Sequence, residues 1–276
     1  MADDFETAVD AVVSGDAGTL RSMLRAQPEL VRGRSARPHH ATLLHYVAAN
    51  GVEDERQRTP PNALEIAKTL LDAGAEVDAV AEMYDAEATT MAMLVSSTPP
   101  AAAGLQPALA ELLLDYGADI NRSSKHGQTP VMTALAFGYL GTAETLAKRG
   151  ASLSFEALAG LGRAEEVQRA LPLADAASRH AALALAAQHG QTAVVELLLD
   201  AGEDPNRYNP TGYHAHSTPL HQAVAAGHLD VVKLLAERGA RLDIRDTIYD
   251  GTPLDWAIYL KKDAIAAYLT GCSRIP

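Results

Sequence analysis

The sequence predicts an all-α solenoid of about eight helix-turn-helix units, and three observations predict it. A short motif recurs, as Thr218-Pro219-Leu220-His221, Thr252-Pro253-Leu254, Thr129-Pro130 and Thr42-Leu43-Leu44-His45, and self-similarity of this kind is the signature of a repeat architecture. Behind the clearest copy, Val231, Val232, Leu234 and Leu235 fall at helical spacing between Gly227 and Gly239. Finally, 47% of the chain is hydrophobic but only 5% is aromatic. Apolar surface drawn from Ala, Leu and Val suits helices packed on their neighbours better than one large core.

Each position of the motif has a physical reason. Thr218 can cap a helix start, and Pro219 sits where a missing N–H is harmless. Gly227 ends the first helix of its unit and Gly239 the second, the latter as a left-handed cap. Equivalent glycines close first helices at Gly15, Gly51, Gly138, Gly162 and Gly190, and second helices at Gly74, Gly117, Gly150 and Gly202. Anchoring on the Thr position places units at Glu6, Thr42, Thr89, Thr129, Leu153, Ala181, Thr218 and Thr252. The expectation is a single domain, 1–276, with repeats near 1–37, 38–84, 85–124, 125–150, 151–176, 177–213, 214–247 and 248–276. The second and third units carry insertions, Val52–Asn62 and Thr98–Pro107, each containing Thr-Pro-Pro and expected to be a rigid elbow. The fifth unit is short. The first and last are degenerate, as expected of capping repeats. Leu198 and Leu234 are expected on the buried stripe of a second helix.

These residues resemble the ankyrin repeat, whose hallmark is Thr-Pro-Leu-His-x-Ala at a period of about 33. The resemblance implies a solenoid with hairpin fingers, in which His45 and His221 bond to neighbouring backbone and tie repeats together. It also implies where a ligand would bind: on finger tips just before the Thr position and on the concave side of the first helix, seven and eight residues after it. Carried over, this nominates His39, Asp85, Ser96, Lys125, His126, Phe137, Gln188, His189, His214, Tyr249 and Tyr259 as ligand-binding, and Tyr213 and His216 join them as residues of the enlarged seventh finger. Of the ten histidines in the chain, His39, His126, His180, His189 and His214 fall on such places, and that excess suggests a groove rich in imidazole. Trp256 and Tyr268 are expected to cover the end of the solenoid.

With 23 basic and 35 acidic residues the net charge is −12, which opposes binding to a phosphate backbone. No nucleic-acid partner is expected. Neither a signal peptide nor an apolar run of about 20 residues is present, so the expectation is a cytoplasmic monomer without a membrane contact. The lone Cys272 allows neither an intrachain disulfide nor a Cys-based metal framework. No cofactor is implied.

The leading function is a binding module that takes a protein or peptide partner in its groove, since no catalytic signature of known spacing occurs. The alternative is an enzyme or small-molecule binder with His126, His180, His189 and His214 as acid–base candidates, gathered between repeats four and seven. In that alternative the long seventh finger, Arg207–Ser217, stands beside the short fifth unit like a flap over a recess. His214-x-His216 alone is a weak metal motif, and no metal site is assigned.

Overall fold

The computed structural model describes residues 2–83, 86–125 and 127–272. Its contacts divide the chain into two compact units, Met1–Ser152 and Leu153–Pro276.

The first unit contains α1 (Ala2–Ser14), α2 (Ala17–Ala26), α3 (Leu43–Val47), α4 (Ala63–Asp72), β1 (Val80–Met83), β2 (Ala86–Thr89), α5 (Thr90–Leu94), α6 (Thr98–Ala102), α7 (Gln106–Asp115), α8 (Pro130–Ala136) and α9 (Leu140–Lys148). The pairs α1/α2, α3/α4, α5/α7 and α8/α9 stack so that first helices touch first helices and second helices touch second helices. Leu20, Leu43, Leu44, Ile66, Leu70, Met91, Leu94, Leu109, Leu135 and Leu146 are fully buried between the layers. Gln106 locks the insertion of the third repeat in place. Its amide donates to the carbonyls of Leu94 (2.8 Å) and Ser97 (3.1 Å), and its carbonyl accepts from the Thr142 hydroxyl at 2.6 Å.

The second unit contains α10 (Phe155–Gly160), α11 (Ala164–Ala170), α12 (Ala176–Gln188), α13 (Thr192–Asp200), α14 (Pro219–Ala226), α15 (Leu229–Glu237), α16 (Pro253–Tyr259) and α17 (Asp263–Cys272). Its core is one cluster in which Leu183, Ala187, Val194, Val195, Leu198, Leu220, Val224, Val231, Val232, Leu235, Ile265 and Leu269 meet. Gly227 (φ +89°) and Gly239 (φ +91°) take the left-handed conformation their positions require.

The third finger is a short antiparallel ladder, β1 on β2 in the register Val80↔Thr89 to Met83↔Ala86, in keeping with hairpin fingers. Three local expectations are corrected. Thr98-Pro99-Pro100 is not an elbow but the first turn of α6, where proline's fixed φ suits a helix start. The sixth unit has no finger over 177–180. Asp175 accepts from the Ser178 N–H at 2.7 Å and starts α12 well before Ala181, and the alanine-rich run carries the helix on. In α15 the deeply buried leucine is Leu235, while Leu234 packs on the cluster only in part.

Candidate functional site

In the first unit the tips of fingers two, three and four surround a cavity of about 1080 Å³. It is lined by Pro38, His39, Glu82, Ala86, Glu87, Arg122, Ser123, Ser124 and Lys125. Asp85, His126 and Tyr84 lie outside the described residues. His39 faces this cavity, yet both ring nitrogens are engaged: Nδ1 accepts the Ala41 N–H at 3.0 Å, and Nε2 meets Glu53 Oε1 at 3.3 Å. The backbone contact makes Nδ1 the acceptor, so the neutral ring carries its proton on Nε2 toward the carboxylate. Glu53 also pairs with Arg37. Burial works to raise its pKa, but its own backbone N–H, His39 and Arg37 hold it below the ordinary carboxylate range. Ser96 is tied to Asn50, whose amide reaches its hydroxyl at 2.9 Å. Phe137 is exposed.

Histidine at the Thr-Pro-Leu-His position behaves as the motif implies. His45 Nδ1 accepts from the Thr42 N–H at 3.1 Å, and its Nε2 reaches the Ala88 carbonyl at 3.3 Å. His221 repeats the arrangement with Thr218 and with the Gly251 carbonyl at 3.1 Å. Each ring therefore staples one repeat to the next finger.

In the second unit His180, expected on a finger tip, is a buried residue of α12. Burial first, and the Arg207 charge second, push its pKa below the ordinary value. Its Nε2 has no hydrogen-bond partner among the described residues, and neither side-chain atom of buried Asn209 has one. Gln188 and His189 are buried as well, and His228 Nε2 reaches the Gln188 carbonyl at 3.1 Å. The long seventh finger is closed by Asn209 N–H to the Ser217 carbonyl (2.8 Å) and joined to the eighth by Thr247 N–H to the His216 carbonyl (2.8 Å). Tyr213 is raised in pKa by burial and, to a lesser degree, by the Glu156 charge. The His214 and His216 rings stand edge to face with centroids 6.0 Å apart.

The eighth finger and α16 carry large side chains open to solvent. Ile248, Tyr249, Ile258 and Tyr259 are exposed, Tyr259 at 85%. Tyr249 and Tyr259 were expected at the site, whereas Trp256 was expected only to cover the end. The indole packs on the core of the second unit and also helps to line a cavity of about 550 Å³ with Tyr249, Gly251, Asp255, Tyr259 and Leu260. The signal that could have found it is the spacing of Trp256 and Tyr259 on one short helix behind an aromatic finger.

A family model described as ankyrin repeats, in three copies, matches residues 183–274. Over 71 residues the chain is 48% identical to an ankyrin repeat-containing protein of Schizosaccharomyces pombe, a stretch covering 25% of this chain and 31% of that protein. It is 39% identical over 80 residues to cyclin-dependent kinase inhibitor 2A of Homo sapiens, covering 29% of this chain and 49% of that one. The ankyrin repeat and KH domain-containing protein mask-1 of Caenorhabditis elegans is 28% identical over 218 residues, which are 74% of this chain and 8% of the relative. The chain thus spans half or less of each of these relatives.

Proposed function

The chain is an ankyrin-repeat protein, and from that premise we propose that it is a binding module whose finger tips and exposed first-helix ends take a protein or peptide partner. One contrast carries the reading. The polar residues nominated for chemistry are largely used inside the protein: His39 and Ser96 in side-chain bonds, His180, Gln188 and His189 by burial. Among the nominated residues, Phe137 at 56%, Tyr249 at 75% and Tyr259 at 85% exposure offer large aromatic surface to solvent, alongside the exposed Lys125 and His214. Aromatic side chains are favoured in interfaces because they bring large contact area with few rotors to freeze. The similarity to a cyclin-dependent kinase inhibitor, whose name states a protein target, supports a protein as the class of partner.

The test is selection of peptides from a display library on the intact chain, followed by affinity measurement on Phe137→Ala, Tyr249→Ala and Tyr259→Ala. A loss of about tenfold or more from at least one replacement is expected, the size of an ordinary interface anchor. Ligands insensitive to all three but abolished by changes at Lys68 or Glu196, on second helices, would place binding elsewhere.

A second reading, capture of a small molecule with His180 as an acid–base group, rests on one observation. His180 Nε2 and both side-chain atoms of Asn209 are buried without partners, and unsatisfied buried polar groups call for an occupant. His126, His189 and His214 belong to this reading only as the sequence nominated them. A metabolite screen by thermal shift, repeated on His180→Gln, tests it; identical shifts in both proteins would end it.

A further inference from the structure

The cavity beside the last finger has a lining unlike the rest of the surface. Trp256, Tyr249 and Tyr259 supply aromatic surface, Leu260 an aliphatic edge and Asp255 a carboxylate. The indole is fixed rather than merely packed. Its N–H donates to Asp246 Oδ2 at 2.8 Å, the His216 ring lies tilted 5.9 Å from it, and the His221 ring meets it edge-on at 5.1 Å. It also lies against Gly251, where a Cβ would come within 2.9 Å of Trp256 Cδ1.

Two features make this a site for positive charge. Asp246 is buried, and all four of its hydrogen bonds come from neutral donors. The N–H groups of Ile248 (2.9 Å) and Tyr249 (2.7 Å) reach Oδ1, while Gly251 N–H (2.9 Å) and the indole reach Oδ2. Burial opposes its ionisation, but those donors hold its pKa at about 2, so it is an anion at neutral pH. A carboxylate bound to the indole N–H adds to the negative potential of the ring that faces the cavity. Asp255 is the second. Its Oδ2 accepts from the Thr252 N–H at 2.9 Å and the Thr252 hydroxyl at 2.7 Å, which leaves Oδ1 for a ligand. Of the nearby cations, Arg245 bonds to Asp250, and after the Thr252 N–H and hydroxyl its charge also helps to hold the Asp255 carboxyl below its ordinary pKa, while the Lys262 ammonium lies where a Gly227 side chain would stand, 3.1 Å from its ideal Cβ.

We propose that this cavity binds a methylated ammonium group against the aromatic side chains of Trp256, Tyr249 and Tyr259, balanced by Asp255. A bare ammonium is strongly hydrated and would need acceptors for three N–H groups, which this largely apolar lining does not supply. A methylated ammonium keeps the charge and presents an apolar skin, which suits aromatic faces and Leu260. Two sources share this chemistry: a methylated lysine of a partner chain and a small quaternary amine. The inference rests on reading the chain as a binding module.

Trp256 is the only tryptophan in the chain, so its fluorescence reports on this cavity alone. The experiment titrates the intact protein at constant ionic strength with choline, with a peptide carrying trimethyl-lysine, and with 3,3-dimethylbutan-1-ol, the uncharged carbon analogue of choline. The two cations should give a saturable change with Kd on the order of 1 mM or tighter, and the neutral alcohol should bind about tenfold more weakly or not at all. Tyr259→Leu, at a position so exposed that folding does not depend on it, and Asp255→Asn should each weaken the cations by about tenfold while leaving far-ultraviolet circular dichroism unchanged. A peptide that binds well ahead of choline identifies a partner's lysine as the source, and parity identifies a free amine; either supports the site. An equal response to the neutral alcohol, a response reproduced by sodium chloride, or no saturable response overturns it. So does self-association that buries Tyr259 and is indifferent to ammonium. Ammonium binding without any selected peptide would keep this site and remove the broader reading, and the converse would do the opposite.

Discussion

His45 shows how much a single ring can carry. Burial pushes its pKa from 6.5 down to about 4, because a charged imidazole cannot be solvated there. The unfolded chain therefore binds a proton that the folded one refuses. Its contribution is whole above pH 6.5 and is lost as pH falls toward 4, by about 3 kcal/mol across that window. His221, also lowered by burial, adds a loss of the same sign. Denaturant unfolding measured from pH 7 to pH 4 should show stability falling steeply, and His45→Gln should be less stable at pH 7 but flatter with pH. A wild-type curve level over that range would contradict the buried neutral ring. At Gly251 the constraint is steric: Ala would press on Trp256 and on Asp246 Oδ2, 3.2 Å away. Gly251→Ala should destabilise by about 1–3 kcal/mol and shift the tryptophan emission.

At the scale of elements, helix starts were legible wherever the signal was local. Thr-Pro pairs begin α8, α14 and α16 as read, and Thr252 caps α16 with its side chain, whereas Thr129 makes no side-chain cap bond at α8. The start of α12 was missed because its cap, Asp175, comes without a proline and precedes an alanine run that continues without a break. Register within a second helix was read one residue out at Leu234 because Leu234 and Leu235 fit the same period. Leu198→Ala and Leu235→Ala, both fully buried, should each cost about 2–5 kcal/mol, and Leu234→Ala clearly less. Equal losses at Leu234 and Leu235 in a denaturant series would reverse the phase. Of the candidate site, the tyrosines of the last repeat could be read from motif position. The saturation of His39 could not, since Glu53 lies 14 residues away on a turn that no pattern announces. Asp246 beneath Trp256 was equally hidden, because it binds through a loop whose path depends on Gly251.

In the second unit the apolar helix faces are hidden by stacking on neighbouring helices. Removing residues from Asp250 onward would uncover Leu220, Val224 and Leu235 in the second unit, which Ala257, Ile265 and Leu269 now meet. The shortened chain should sediment as aggregates where the intact one does not; a soluble, equally stable product would show that α16 and α17 are dispensable. The acidic balance of the chain favours dispersion, and the strand pair of the third finger works in the same direction. The outer edge of β1 is already taken: Glu82 N–H donates to the His39 carbonyl at 2.8 Å, and Arg34 donates to the Val80 carbonyl at 2.6 Å. Glu82 and Glu87 face each other across the pair, so a strand arriving from another molecule would meet carboxylates beside a backbone with little left to offer. The only ladder among the described residues is thus closed on that side to strand exchange, and crowding the protein should not seed cross-β growth from it.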